Sequence, residues 1–232
     1  MFRFKQFTIE DNRCAHKVGT DGTLLGAWVD VKNVKHLLDI GTGSGLIALM
    51  LAQRSDVNAT IDALEFAHPD YLQACENVDQ SPWPSKVKIH LTRLQDFETE
   101  KRYDHIISNP PFFINSFKPP NTNRVAPRHT ETLTYTELLE HSKRLLTHKG
   151  KLSVILPHTE GLQFIELAKT FSLYLNRQWS FKARKEKPIE RWLLEFSQQA
   201  GKVEDGEILL YEKEEKWSDD YKTLTKDFYL KL

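Results

Sequence analysis

The sequence predicts an α/β fold in which a mostly parallel β-sheet has helices on both faces and one antiparallel strand at its edge. Three observations lead to this prediction. From residue 37 onward, short β-like runs alternate with helix-like runs. A glycine-rich loop, DIGTGSG (39–45), separates the first such strand from the first helix. The last two strand-like runs, 172–181 and 190–197, follow each other without a helix, which favours an antiparallel pair.

Each predicted element is a run whose apolar residues recur with the period of a strand or of a helix. The predicted strands span 37–40, 60–66, 86–91, 103–108, 151–157, 172–181 and 190–197. The predicted helices span 46–53, 71–78, 134–150 and 160–171, and a further one lies around Thr23–Val29. Thr134 can cap the helix at 134–150, and Gly150 marks its expected end.

Composition excludes several classes of protein. With 232 residues, 40% hydrophobic and 28% charged, the chain has an ordinary globular composition. Its longest apolar run, LIALMLA (46–52), is too short to span a bilayer, and the first residues lack the apolar core of a signal peptide. Cys14 and Cys75 form neither a C-x-x-C motif nor a disulfide framework. We therefore expect a soluble protein of the reducing cytoplasm, without a membrane partner.

The net charge is zero, which argues against a strongly basic nucleic-acid binder. This average hides an asymmetry, because 204–232 is acidic and the rest of the chain is therefore basic. Two segments concentrate the positive charge, KPPNTNRVAPRH (118–129) and KARKEKPIER (182–191). Each is either a solvated surface or a contact for phosphate groups.

The glycine-rich loop predicts a ligand site. Glycine permits a tight turn and a close approach of the backbone to a ligand, and the start of the following helix presents free N–H groups. Glu65 ends the second strand about 20 positions further on, where an acid can accept hydrogen bonds from ribose hydroxyls. The succession of strand, loop, helix, strand and acid indicates a cofactor that contains a nucleoside.

The spacing of the loop distinguishes between cofactors. The dinucleotide pattern G-x-G-x-x-G requires glycine at position 46, which is Leu46 here. The loop instead reads D-x-G-x-G-x-G from Asp39 to Gly45, and this resembles the first motif of class I S-adenosylmethionine (AdoMet) methyltransferases. The cofactor residues that the resemblance implies are Asp39, Gly41, Gly43 and Gly45 at the methionine end, Glu65 at the ribose and Asp96 at the adenine amino group. A solvated turn residue is the alternative for Asp96.

A second motif, SNPPFF (108–113), directly follows the fourth predicted strand. Ligands bind at the carboxyl ends of the strands in such a sheet, so this motif should face the same crevice as the glycine loop. The side-chain oxygen of Asn109 and the carbonyl of Pro110 can accept the hydrogens of a planar amine, which lets its lone pair attack a methyl group. Pro111 stiffens the loop, because proline fixes φ, and Phe112 can stack on the flat target.

N-P-P-F is the signature of methyltransferases that act on planar nitrogens, and the resemblance extends over nearly the whole chain. KVGTDGTLLGAW (17–28), the start FRFKQFTIEDNRCAHKVGTD and the ending DFYLKL (227–232) resemble the bacterial tRNA(Val) adenine-37 N6-methyltransferase family. The resemblance implies a class I methyltransferase fold, a Rossmann-like, mostly parallel sheet of seven strands with one antiparallel edge strand. It also implies methyl transfer from AdoMet to N6 of an adenine in tRNA. The substrate residues that it implies are Phe112, Arg124, Arg128 and His129.

The same resemblance divides the chain into three parts. Residues 1–36 form a segment that closes over the cofactor, with Thr20 and Asp21 at the methionine moiety. Residues 37–200 form the AdoMet-binding catalytic domain, in which Asn109 serves both cofactor and substrate, and residues 201–232 form a charged C-terminal extension. Helix capping is the alternative role of Asp21.

Other functions stay open on the residues alone. Asn-Pro-Pro would serve guanine N2 of rRNA, adenine of DNA or a protein glutamine equally well. A catalytically idle AdoMet-fold module that binds RNA or a partner is a further alternative, although an intact N-P-P-F argues against it. The nine histidines include no H-E-x-x-H motif or Cys/His cluster, so we expect no metal. GTGSG also lacks the G-x-S-x-G pattern of a hydrolase.

Overall fold

A computed structural model describes residues 1–111, 133–212 and 215–231, and an eight-stranded sheet forms its centre. A separate pair of short strands, β1 (Phe2–Arg3) and β2 (Thr8–Ile9), precedes this sheet. The strands of the main sheet are β3 (His36–Ile40), β4 (Thr60–Glu65), β5 (Val87–Leu91), β6 (Tyr103–Ser108), β7 (Leu146–Pro157), β8 (Tyr174–Lys182), β9 (Arg191–Ser197) and β10 (Glu204–Leu209). The helices are α1 (Thr20–Trp28), α2 (Leu46–Arg54), α3 (His68–Asp79), α4 (Tyr135–Leu145), α5 (His158–Thr170) and α6 (Asp219–Thr225).

Neighbouring strands follow the order β10-β8-β9-β7-β6-β3-β4-β5. β9 is antiparallel to β7 and β8, and the other neighbouring pairs of this sheet are parallel. A helix between two strands returns the chain to the edge where the first strand began, so the strands on either side of α2 and α3 run in parallel. The predicted α/β fold with a mostly parallel sheet is confirmed.

Two details of the sheet differ from the prediction. It has eight strands rather than seven, because β10 pairs with the outer side of β8. In β10 only Ile208 is buried, and an edge strand of this kind carries no alternating apolar pattern that could reveal it. The antiparallel strand, β9, lies inside the sheet instead of at its edge. A strand between two others is more buried, and the run RWLLEFS of β9 is more apolar than the sequence of β8, so β9 is the better suited to that position.

The helix expected at 134–150 is shorter than predicted. Its start is confirmed, because the Thr134 hydroxyl accepts from the N–H of Glu137, and the Glu137 carboxylate accepts from the N–H of Thr134. The helix ends at Leu145, since the next residue already pairs with Tyr103 of β6. Gly150 therefore lies in β7, where a Cβ atom would come within 2.7 Å of the Tyr103 carbonyl oxygen.

Apolar side chains cover both faces of the main sheet. One face packs against α1, α2 and α6, and the other packs against α4 and α5. Residues 46–52 of α2 are all buried, because α1 packs on the side that the sheet leaves free. Each large apolar side chain buried in this way contributes about 1.5–3 kcal/mol by leaving water. None of the helices that the structure describes has the length and apolar character needed to cross a bilayer.

Candidate active site

Three segments meet at the carboxyl edge of the parallel strands. β3 lies between β4 and β6, and its last residue, Ile40, pairs with both Leu64 and Ser108. The Ser108 hydroxyl donates to the Ile40 carbonyl oxygen at 2.9 Å, which ties the two strand ends together. The glycine loop after β3, the end of β4 and the Asn-Pro-Pro segment after β6 therefore start side by side.

The glycine loop is a tight turn that needs glycine at three positions. Gly41, Gly43 and Gly45 have φ values of +72°, +57° and +83°, which residues with a side chain seldom adopt. A Cβ atom at Gly41 or Gly43 would meet no atom of the described residues within 4 Å. The N–H groups of Gly41 and Thr42 both donate to the Leu64 carbonyl oxygen, at 3.0 and 2.9 Å. The loop is thus closed against the end of β4 and leaves open space for a ligand.

Glu65 ends β4 and holds this loop. Its carboxylate accepts from the N–H of Gly43 at 2.9 Å and from the N–H groups of Phe66 and Ala67 at 2.9 and 2.8 Å. Burial raises the pKa of Glu65, although the three N–H donors favour the charged form. Oε2 accepts only one of these bonds, and a carboxylate oxygen has two lone pairs, so it can also accept from a ligand hydroxyl.

Asp39 supports the loop from beneath. It is fully buried, and its Oδ2 accepts from the Thr42 hydroxyl at 2.6 Å. Its Oδ1 has no hydrogen-bond partner among the described residues. Burial raises the pKa of Asp39 to about 7, and the bond from Thr42 limits that rise. Asp39 therefore bonds to the loop through Thr42 and lies inside the protein.

We expect Asp39→Asn to change how the stability of the protein depends on pH. The ordinary pKa of aspartate is 3.8, whereas folded Asp39 keeps its proton up to about pH 7. Between these values the folded state binds more protons than the unfolded state, so this group lowers the free energy of unfolding as the pH rises. Urea unfolding of both proteins across this pH range measures the effect. The free energy of unfolding of the variant, relative to that of the wild type, should increase as the pH rises.

Comparison with the variant is needed because His105 titrates in the opposite sense. Burial lowers the pKa of His105 to about 4, so its contribution to stability increases as the pH rises from about 4 to its ordinary value of 6.5. Only the difference between the two proteins isolates Asp39. A difference that stays constant across the range would show that Asp39 is already ionised in the folded protein.

Asn109 and Pro110 begin the segment that follows β6. Asn109 is half-buried, and its Oδ1 is shielded from solvent without a hydrogen-bond partner among the described residues. Pro110 is buried and Pro111 is half-buried. A buried acceptor without a donor costs free energy. Because Ser108 pairs with Ile40, this acceptor lies close to the start of the glycine loop.

The other predicted residues lie further out. Asp96 is exposed in the turn after β5, where its own N–H donates to the Arg93 carbonyl oxygen at 3.2 Å. Thr20 is exposed at the first position of α1. The four predicted substrate residues, Phe112, Arg124, Arg128 and His129, fall outside the described residues.

Asp21 does not cap α1, so the capping alternative is wrong. The helix begins at Thr20, and Gly19 occupies the N-cap position without a capping side chain. Asp21 therefore lies in the first turn, where its Oδ2 accepts from Arg191 Nε at 2.8 Å. This ion pair fixes the start of α1 to the start of β9.

Comparisons with known proteins identify the family. The family model for the methyltransferase small domain matches residues 14–178. A tRNA1(Val) (adenine(37)-N6)-methyltransferase of Trichodesmium erythraeum is 46% identical over 99% of this chain and 98% of its own length. Proteins of the same name from Parabacteroides distasonis and Pseudoalteromonas translucida are 39% and 42% identical over 100% of this chain, and over 98% and 99% of their own lengths. The chain belongs to the tRNA1(Val) (adenine(37)-N6)-methyltransferase family.

These relatives confirm the resemblance seen in N-P-P-F and in the two ends of the chain. Solved structures of other methyltransferases share the fold of this family. A predicted O-methyltransferase of Agrobacterium tumefaciens superposes with a TM-score of 0.69 at 13% identity, over 90% of this chain and 96% of that one. The ribosomal protein L11 methylase of Lactobacillus delbrueckii gives a TM-score of 0.55 at 14% identity, over 77% of each chain. At identities this low, the likeness concerns the fold alone.

The structure adds three residues to the site of this family member that the sequence did not reveal. Thr42 and Ser108 hold the glycine loop and its strand in place, and Asn77 of α3 bonds to the loop. Only Asn77 had a signal in the sequence. Asp70, Gln73 and Asn77 recur with a helical period, and all three are buried. Polar residues on a buried helix face predict bonds to neighbouring backbone groups.

The residues of the site fit AdoMet, which carries ribose hydroxyls and a positive charge but no phosphate. The open space lies above Gly41 and Gly43, and the spare lone pair of Glu65 lies beside it. The buried Asp39 adds a carboxyl group beneath the loop. Within the described ranges, no three or more His, Cys, Asp or Glu side chains are grouped so that they could hold a metal ion.

Proposed function

We propose that this protein transfers the methyl group of AdoMet to N6 of adenine 37 in tRNA1(Val). The observation that carries the proposal is the overlap, over 99–100% of the chain, with relatives of that name at 39–46% identity. The Oδ1 of Asn109, which has no hydrogen-bond partner in the described parts of the chain and lies close to the glycine loop, supports the chemistry. A tRNA substrate would place the protein in the cytoplasm.

Methyl transfer to adenine needs two hydrogen-bond acceptors for its amine and a nucleobase that is held in a fixed position. AdoMet, when bound, supplies an electrophilic methyl group on its sulfonium. The exocyclic amine of adenine is a weak nucleophile, because its lone pair is delocalised into the ring. Asn109 Oδ1 and the Pro110 carbonyl oxygen accept its two hydrogens, so that the nitrogen can direct its lone pair at the methyl group. The new N–C bond replaces the S–C bond with S-adenosylhomocysteine as the leaving group, and the methylated nitrogen then gives one proton to water. Pro110 and Pro111 hold both acceptors in place before the base arrives, which reduces reorganisation. Phe112 stacks on the extruded base.

The cofactor roles follow the three segments of the site. Glu65 accepts from the ribose hydroxyls, and the glycine loop with the first N–H groups of α2 binds the methionine end. The further cofactor residues in this proposal are Thr20 and Asp21 from the N-terminal segment, Asp39 beneath the loop, Asp96 at the adenine amino group and Asn109. The proposal keeps the three parts 1–36, 37–200 and 201–232, the last of which adds β10 to the sheet.

Radiolabelled AdoMet tests this function when it is offered with total tRNA, rRNA, DNA and protein fractions. We expect the label in tRNA, and nucleoside analysis should identify N6-methyladenosine. An unmodified tRNA1(Val) transcript should accept the methyl group, and the same transcript with guanine at position 37 should not. Label in an rRNA guanine or in a protein glutamine would contradict the choice of substrate.

We expect Arg124→Ala combined with Arg128→Ala to lower the affinity for tRNA. The affinity of this variant should also depend less on salt concentration. Both arginines closely follow N-P-P-F, where they can hold phosphate groups that flank the target base. Each lost phosphate contact should reduce the slope of log K against log salt concentration by roughly 0.7–0.9. Binding titrations at several salt concentrations measure this slope, and AdoMet affinity should not change.

The matched control for the arginine pair is Lys149→Ala combined with Lys202→Ala. These exposed lysines line one cavity near the amino edge of the sheet, far along the strands from the site. Their loss should leave the slope as in the wild type. If the arginine variant also keeps the wild-type affinity and slope, the segment 118–129 is not an RNA contact.

A further inference from the structure

Asn77 bonds to two segments that are distant in the sequence. Its Nδ2 donates to the carbonyl oxygens of Ser44 and Glu10, at 2.8 and 2.7 Å. Its Oδ1 accepts from the N–H of Glu10 at 2.9 Å. The residue is only 1% exposed, so these bonds are shielded from water. Ser44 belongs to the glycine loop and Glu10 to the N-terminal segment, so one side chain of α3 holds both.

We propose that Asn77 is a positioning residue for methyl transfer, which holds the glycine loop and the N-terminal segment in the one arrangement that binds AdoMet. This inference rests on the proposed function and deepens it. Asn77 itself does not touch the reacting atoms. It acts through the backbone of the two segments on either side of it.

Other side chains of α3 also bond to the N-terminal segment, but in the described residues they have no hydrogen bond to the glycine loop. The Ala15 N–H lies 3.4 Å from both carboxylate oxygens of Asp70. Arg13 donates to Gln73 at 3.3 Å and forms an ion pair with Glu76. Among the described residues, Asn77 is the side chain of α3 with hydrogen bonds to both segments.

The bond to Ser44 fixes a peptide unit at the start of α2. The Ser44 carbonyl is held by Asn77, and the N–H of the same peptide, at Gly45, donates to the Thr42 carbonyl oxygen at 2.9 Å. Both polar groups of this peptide are therefore occupied, and it cannot rotate without breaking two bonds. The N–H groups of the first turn of α2 follow directly, so their direction depends on this peptide.

The bonds to Glu10 fix the path of the N-terminal segment. Immediately after Glu10, the Oδ2 of Asp11 accepts from the N–H of Val18 at 3.0 Å, which closes the segment into a loop. That loop leads to Thr20 at the start of α1. Anchoring Glu10 therefore sets where the proposed cofactor residues of α1 lie relative to the glycine loop.

Asn77→Ala and Gln73→Ala form a matched pair that tests this inference. Both residues are 1% exposed on α3 and bond to the N-terminal segment, but only Asn77 bonds to the glycine loop. We expect both variants to lose thermal stability, and Asn77→Ala to lose more, because Asn77 makes three backbone hydrogen bonds and Gln73 makes one bond to the N-terminal segment. AdoMet affinity is therefore compared at a temperature at which both variants are folded. Only Asn77→Ala should raise the Kd for AdoMet, by about 10- to 100-fold in calorimetry, because it removes the partner of three backbone groups, among them the buried bond to the Ser44 carbonyl. Equal AdoMet affinity in the two variants would overturn the inference.

Asn77→Asp adds a readout that loss of stability alone would not move. An ionised aspartate can accept from the Glu10 N–H but cannot donate to the two carbonyls, whereas a protonated one can donate to one of them. The AdoMet affinity of Asn77→Asp relative to the wild type should therefore rise as the pH falls. A ratio that is independent of pH would refute the donor role. Wild-type protein that fails to methylate tRNA would refute the proposed function, and wild-type activity with unchanged Asn77→Ala affinity would refute only the role of Asn77.

Discussion

Asn109→Ala should lower turnover by on the order of 100-fold or more while AdoMet binds almost as tightly as to the wild type. The Oδ1 of Asn109 is buried without a partner among the described residues, so its removal breaks no bond there that holds the fold. In the proposed reaction this oxygen accepts most strongly when the amine becomes pyramidal. The loss should therefore fall on the transition state rather than on cofactor binding.

Asn176→Ala provides a matched control for Asn109→Ala. Asn176 also has a buried Oδ1 without a partner in the described parts of the chain, but it lies near the start of β8, at the opposite edge of the sheet. Its removal should leave turnover unchanged. Single-turnover methylation of tRNA at saturating AdoMet separates the chemical step from product release. Near-normal turnover by Asn109→Ala would mean that the N-P-P-F mechanism is wrong.

The central strands could be predicted from the sequence because they are buried on both faces. The run 37–40 is apolar except for Asp39, and the run 103–108 has apolar residues at Tyr103, Ile106 and Ile107, so the local pattern identifies both as strands. β10 could not be predicted, since an edge strand tolerates the charges of EDGEIL. The hairpin of β8 and β9 was recognisable, but which of its strands pairs with β7 depends on packing between distant segments.

In the candidate site, backbone geometry was easier to predict than hydrogen bonding. Gly41 and Gly43 stand out in a sequence because a positive φ favours glycine wherever it occurs. The environment of a carboxyl group cannot be recognised from the residue type in this way. The sequence does not show whether Asp39 faces a ligand or lies inside the protein, and only the tertiary structure shows that it is fully buried. The partners of Asn77 are equally hidden, because Glu10 and Ser44 are brought to it by tertiary structure.

Glu65→Ala should weaken AdoMet binding by about 1.5–3 kcal/mol, the size of a lost charge-assisted hydrogen bond. This corresponds to a rise in Kd of roughly 10- to 150-fold. Calorimetry with AdoMet measures it directly. Glu195→Gln is a suitable control, because Glu195 is an acid of similar burial, 3% exposed against 5% for Glu65. It lies near the carboxyl end of β9, and because β9 is antiparallel, this end is at the amino edge of the parallel strands, away from the site. If Glu65→Ala binds AdoMet as the wild type does, Glu65 is not part of the site.

Two different effects of Glu65 contribute to this loss of affinity, and a set of three ligands can separate them. Glu65 holds the N–H of Gly43, so its removal also loosens the loop. S-adenosylhomocysteine and its 2′-deoxy and 3′-deoxy analogues share every contact with the loop and differ only in a ribose hydroxyl. If Glu65 acts through the loop alone, all three ligands lose affinity equally in the variant. If it accepts from the ribose, the preference of the wild type for the hydroxylated ligand disappears. We expect the second result, because Oε2 makes a single bond and keeps a lone pair beside the open space above Gly43.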